Sequence, residues 1–185
     1  MPLSEPASRT LRHRRAIAVE AFSRDDGLWD IEACLTDHKD RDFALATGLR
    51  KEGTPIHSLW LRLTIDESFE VRDAEAVSDW VPYPGICDQI GPDYRQLIGL
   101  NLRRGFRHAV RERLGGAAGC THLTELCSVL PTAAIQAFAG EVIHTPDTAL
   151  KAAHEADVSA PPFQLGHCHA LRFDGEAVRR FYPRW

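Results

Sequence analysis

The segment Gly115-Gly116-Ala117-Ala118-Gly119-Cys120-Thr121-His122-Leu123-Thr124-Glu125-Leu126 brings a thiol, an imidazole and a carboxylate close together in sequence. The small residues ahead of the apolar run let the backbone approach another group closely. A helix starting near Thr121, whose hydroxyl can cap it, places Cys120 beside unpaired amides and the positive end of the helix dipole, an environment that favours a thiolate. His122 falls on the first turn, and Glu125, three positions on, shares its side of the helix. Two chemistries suit this set. In one, Cys120 is a nucleophile partnered by His122 or His57. In the other, a metal polarises a substrate or activates water while Glu125 or His57 moves the proton. Leu123, Leu126, Cys127 and Leu130 form a separate apolar row, so Cys127 reads as core.

Further ligand-type residues lie elsewhere. Cys87 ends a Pro-Gly loop, and Cys168 sits in Gly166-His167-Cys168-His169 on an expected strand, where His167 and His169 share one face and Cys168 takes the other. Cys87, Cys120, His122 and Cys168 would make a thiolate-rich tetrahedral set for zinc or iron. No paired CxxC string accompanies them, and the competing reading makes Cys87 and Cys168 buried thiols and the histidines hydrogen-bonded or exposed. His57, on an apolar strand face, is either a satisfied core residue or a base. Arg62 on the opposite face could anchor a carboxylate, and Asp37 with His38 either orient one another or form a polar loop. Walker, GxGxxG, GxSxG and HExxH strings are absent, which removes the common nucleotide, hydrolase and zinc-protease readings.

The elements that must position these residues can be read from periodicity. Ile17, Val19 and Ala21 alternate, Asp26-Gly27 marks a turn, and Trp29, Ile31, Ala33 and Leu35 alternate again, predicting a hairpin over residues 16 to 35. Residues 37 to 54 read as an excursion or loop. Ile56 to Ile65 reads as a third strand, with His57, Leu59, Leu61, Leu63 and Ile65 on one face. Phe69 and Val71 suggest a fourth strand, and Ala74 to Trp80 a short helix. Leu102, Phe106, Ala109, Val110 and Leu114 lie at helical spacing and end at Gly115-Gly116. The next helix runs from Thr121 to Leu130, and Pro131 is expected to kink or divide it before Ala133 to Ala139. A short helix is expected around Thr148 to Glu155, and Phe163 to Phe173 returns to strand periodicity. The expected fold is therefore a single α+β domain over residues 16–185, with an N-terminal antiparallel sheet, packed helices and a C-terminal strand. A basic arm over residues 1–15 precedes it.

Composition sets outer bounds. The 185 residues carry 22 Lys+Arg against 26 Asp+Glu, a net charge of −4, and 44% are hydrophobic, which suits one globular domain rather than a disordered chain. Arg9, Arg12, Arg14 and Arg15 cluster at the start. The acidic balance and the lack of a zinc-finger, helix-turn-helix or RNP-type motif nevertheless argue against nucleic acid as a partner. An odd number of cysteines, five, without a secretion signal predicts reduced thiols and a cytoplasmic location. No apolar run is long enough for a membrane span. A small-molecule substrate is the expected partner, and a homodimer is left open.

The strings Arg24-Asp25-Asp26-Gly27-Leu28-Trp29-Asp30-Ile31-Glu32, Leu35-Thr36-Asp37, His57 ahead of Trp60-Leu61-Arg62-Leu63-Thr64-Ile65-Asp66, and Gly119-Cys120-Thr121-His122-Leu123-Thr124-Glu125-Leu126 together resemble the bacterial family of unknown function 2889. The resemblance runs from about Ile17 to Ala139, with Gly166 to Gly175 fitting the family's tail. It implies a small cytoplasmic protein often associated with catabolism of aromatic or other carbon compounds. The order of loop cysteine, amphipathic helix, and cysteine and histidine opening a Leu-rich helix is also similar to iron–sulfur scaffold and sulfur-acceptor proteins. In those the His-Cys pair is adjacent, whereas here Thr121 separates Cys120 from His122. Three functions are therefore weighed. The first is a metal- or cysteine-dependent hydrolase or lyase acting on a small carbonyl or carboxylate compound. The second is a non-catalytic iron–sulfur or sulfur-transfer accessory protein, and the third a module held by structural zinc.

Overall fold

The computed structural model describes residues 3–143 and 161–185. The fold is α+β, an antiparallel sheet in the N-terminal part followed by helices. Its residues group into two compact units, Met1–Ala137 and Phe138–Trp185.

In the first unit, β1 (His13–Ser23), β2 (Trp29–Lys39), β5 (His57–Ile65) and β6 (Val71–Trp80) form a four-stranded sheet in that spatial order. The expected hairpin is present: Gly27 takes the left-handed φ of 81° that its turn requires, and Asp26 Oδ1 accepts from the Leu28 N–H at 3.2 Å. Alternation sends Ile31, Ala33 and Leu35 of β2 and Leu59, Leu61, Leu63 and Ile65 of β5 to one face, where all are buried. Burying each Leu or Ile removes it from water at a gain of about 2 kcal/mol. The same parity carries His13, Arg15 and Ile17 of β1, Asp37 of β2 and His57 of β5.

Several expectations are corrected. The basic arm is shorter than expected, since β1 begins at His13 and takes in Arg14 and Arg15. Of residues 37 to 54, the first three belong to β2, and the excursion after them carries β3 (Phe43–Leu45) and β4 (Gly48–Arg50), paired as a small second sheet. The segment Ala74 to Trp80 is strand, not helix. Pairing shifts from Ile65↔Val71 to Thr64↔Asp73, leaving Arg72 as an extra residue. That irregularity puts Val71 and Ala74 on the buried side three positions apart, a spacing that imitates a helix.

After the sheet comes a run of 3₁₀ turns over Cys87–Leu97, then α1 (Phe106–Leu114), a short 3₁₀ turn and α2 (Thr121–Phe138). Pro131 does not divide α2. Pro131 has no N–H for the Cys127 carbonyl four residues back; the next carbonyl, that of Ser128, takes hydrogen bonds from Arg107 of α1 at 3.4 Å (Nε) and 3.1 Å (Nη2). Phe106, Val110 and Leu114 of α1 and Leu123, Leu126, Cys127, Leu130 and Ala134 of α2 are buried.

In the second unit, Phe163 to Phe173 is a succession of turns rather than the expected C-terminal strand. Gly166, at φ 76°, reverses the chain and its N–H bonds to the Leu171 carbonyl at 2.6 Å. A short helix, α3 (Glu176–Phe181), follows. The helix expected around Thr148 to Glu155 lies outside the described residues. No helix among them is long and apolar enough to cross a membrane.

Candidate functional site

The site is built around Asp37, a carboxylate only 2% exposed. It lies near the end of β2, directly opposite Arg15 on β1 and His57 on β5, so one row across three strands supplies three polar side chains to the same face. Arg15 donates from Nε to Asp37 Oδ1 at 2.9 Å and from Nη2 to Oδ2 at 2.8 Å. His13 Nε2 meets Oδ1 at 2.9 Å, and His57 Nδ1 donates to Oδ2 at 3.0 Å. These contacts occupy the roughly four acceptor positions of a carboxylate. Burial alone would raise the Asp37 carboxyl. The Arg15 hydrogen bonds and charge, with the neighbouring His57 and His13, outweigh it and hold the group below the usual carboxylate range.

The N-terminus of α2 completes the cluster from above the sheet. His122 Nε2 lies 3.8 Å from Asp37 Oδ2, and its ring stands 3.9 Å from that of His57, tilted by 35°. The other nitrogen of His122, Nδ1, is 4.0 Å from Cys120 Sγ. Cys120, His122 and Asp37 thus line up in that order. Burial pushes the Cys120 thiol up, but hydrogen bonding to His122 and the backbone N–H groups of Leu123 and His122 prevail and lower it below the ordinary thiol value. His57 is also lowered, by burial first and by His122 next, against the opposing pull of Asp37. With Nδ1 donating to Asp37, neutral His57 keeps its Nε2 lone pair.

Cys120 is held in place from below. The fully buried Tyr94, in the 3₁₀ segment, donates from its hydroxyl to the Cys120 carbonyl at 2.9 Å and accepts from the Cys120 N–H at 3.2 Å; Thr124 Oγ1 lies 2.8 Å away. Burial pushes the phenol up to about 12, so it stays protonated. The small-residue run has its reason in Gly119, where a Cβ would stand 2.3 Å from the Leu114 carbonyl oxygen.

Of the residues singled out in the sequence, Cys120, His122 and His57 gather here, and Glu125 joins through Arg15, whose Nη1 donates to its Oε2 at 2.6 Å. Cys87 opens the 3₁₀ segment half-buried, and Cys168 is an exposed thiol in a turn of the second unit. Among the described residues, the ligand-type atoms that converge to within 4.8 Å of one another are those of Asp37, His57 and His122. Asp37 was one of two readings at its position. Arg15 and His13 come from the stretch that the sequence reads as a basic arm. The signal for both was the odd-numbered alternation of β1, which continues past Ile17 to Arg15 and His13.

A family model described as a protein of unknown function (DUF2889) matches residues 13–136. The match begins at the first residue of β1 and takes in the whole cluster. No curated protein and no solved structure matches the chain.

Proposed function

The chain belongs to the DUF2889 family, and from that premise we propose that it is a thiol-dependent enzyme acting on a small carbonyl or carboxylate compound. Cys120 is the nucleophile, His122 exchanges its proton, and Asp37, 3.8 Å from His122 Nε2 and with its acceptor positions taken by other donors, acts on the imidazole through its negative charge. The observation that carries this reading is Cys120 Sγ at the start of α2, 4.0 Å from His122 Nδ1, with the opposite nitrogen turned to a buried carboxylate. The same order of roles recurs on unrelated folds that use nucleophilic cysteines.

In this scheme the thiolate attacks the carbonyl carbon and the electron pair moves to oxygen. His122 delivers its proton to the leaving group as the carbon–oxygen or carbon–nitrogen bond breaks. Water then attacks the resulting thioester, losing a proton to an imidazole, and the thiolate departs. His57, neutral and with Nε2 open, is a second base. Glu125 acts through Arg15, the group that fixes Asp37.

Alkylation of the full chain by iodoacetamide, resolved by residue with mass spectrometry across pH, tests the proposal. Cys120 should react with a midpoint below that of an ordinary thiol, and His122→Ala should move that midpoint upward. A Cys120 midpoint in the ordinary thiol range, unchanged by His122→Ala, would sink it.

The convergence of Asp37, His57 and His122 favours a second reading, in which they hold zinc or iron. It is the weaker one because an ion must displace at least one donor from Asp37 and sit beside the Arg15 guanidinium, whereas thiol chemistry uses the contacts as they stand. About one equivalent of metal in purified protein, lost in His57→Ala, would favour it. Iron with matching acid-labile sulfide would favour the sulfur-transfer alternative.

A further inference from the structure

The outer strand β1 has an edge that its own fold does not use. It pairs with β2 in unbroken register from His13↔Lys39 to Ser23↔Trp29, and it ends the sheet. Among the described residues, no backbone group of β1 bonds to anything on its other side. Sheet edges are ordinarily blunted by proline, bulges, short length, charged side chains or a covering element; here the charges sit toward the two ends, at His13 to Arg15 and at Glu20, and the middle, Ala16 to Val19, carries none. This one spans 11 residues, His-Arg-Arg-Ala-Ile-Ala-Val-Glu-Ala-Phe-Ser, without proline, glycine or bulge. All of it is exposed except Ile17 and Val19, which are half-buried.

We propose that β1 pairs antiparallel with β1 of a second copy of this chain, about a two-fold axis through Ile17, joining two sheets into one. A two-fold axis perpendicular to the sheet keeps both core faces on the same side, so paired residues must share parity. Among the registers this allows, the one centred on Ile17 sets Arg14 opposite Glu20 of the second copy, and symmetry makes that ion pair twice. Ala16 then faces Ala18 between the two charged pairs. On the core side Ile17 meets its own counterpart, Arg15 meets Val19, and the half-buried apolar row is covered. Moving the centre to Ala18 would place Glu20 against Ala16 and forfeit both ion pairs. Arg14 and Glu20 point away from the Asp37 cluster, because His13 and Arg15 carry the opposite parity. His13 and Arg15 of that cluster also lie in the seam, opposite Ala21 and Val19 of the second copy, but the ion pairs that fix the register use none of the cluster's residues.

Sedimentation of the full chain over a concentration series is the test. The wild type should show a reversible monomer–dimer equilibrium. Glu20→Arg, which opposes arginine to arginine twice, should weaken association by about tenfold or more. The exchange Arg14→Glu with Glu20→Arg should restore it, which also separates lost pairing from lost folding. A wild type that stays monomeric throughout, a dimer indifferent to Glu20→Arg, or a failure of the exchange to rescue association would each overturn the proposal.

Discussion

Arg15 and Asp37 face each other across β1 and β2 and meet through two parallel hydrogen bonds of 2.9 and 2.8 Å, a fork that fixes the carboxylate in its plane. Asp37→Asn replaces a four-fold acceptor by an amide that turns donors toward donors. Removing one partner of a fully buried pair costs about 3–5 kcal/mol. Arg15 is 35% exposed and can turn to water, so the expected loss is smaller, about 2 kcal/mol. Urea unfolding at neutral pH measures it, and a loss below about 0.5 kcal/mol would show that the fork contributes little to folding.

Acid should destabilise the protein in two steps. His57 binds its proton less tightly folded than unfolded, because burial and His122 outweigh Asp37. Its contribution is complete above the unfolded histidine value of about 6.5 and is lost as pH falls below it toward the depressed folded value. Asp37 acts with the same sign lower down, since its folded value is also depressed: its share is present above the unfolded aspartate value and is lost as pH falls through the folded one. Urea midpoints should therefore begin to drop as pH falls through about 6.5, and His57→Gln should flatten that first step. An unchanged slope in the variant would assign the step to another group.

Tyr94→Phe removes a hydroxyl that bonds both backbone groups of Cys120. The freed carbonyl and N–H should cost about 1–3 kcal/mol. Because the tether sits under the thiol, the variant should also alter Cys120 alkylation at fixed pH. A loss of stability with unaltered alkylation would confine Tyr94 to the scaffold.

Gly119→Ala drives a methyl group into the Leu114 carbonyl, backbone against backbone, with a 2.3 Å approach that no rotamer relieves. Overpacking of this kind costs about 1–3 kcal/mol. Relief has to come from moving the start of α2, so Cys120 reactivity should fall together with the melting temperature. Wild-type behaviour in both would show that the close approach is readily absorbed.

Much of the sheet was legible because alternation in Ile31 to Leu35 and Leu59 to Ile65 is unbroken and one face is uniformly apolar. It failed where pairing is irregular, as at Arg72, and where three-residue strands carry too little pattern to detect. Cys120, His122 and Glu125 stood out because they are close in sequence. Asp37, Arg15 and His13 did not, since their meeting depends on cross-strand register, which one chain's residue order specifies only indirectly. The turns from Phe163 show the converse error: apolar alternation by itself does not make a strand.

The row Arg15–Asp37–His57 ties loop length to chemistry. Side chains alternate between the two faces, so a one-residue insertion absorbed as a slip of β1 would send His13 and Arg15 to the far side of the sheet while leaving most of the helices untouched. The short connection from Arg24 to Leu28 is thus a ruler for the site. Gly27 holds the turn at that length through its left-handed φ, so the residue that shapes the hairpin also sets which side chains of β1 stand beside Asp37.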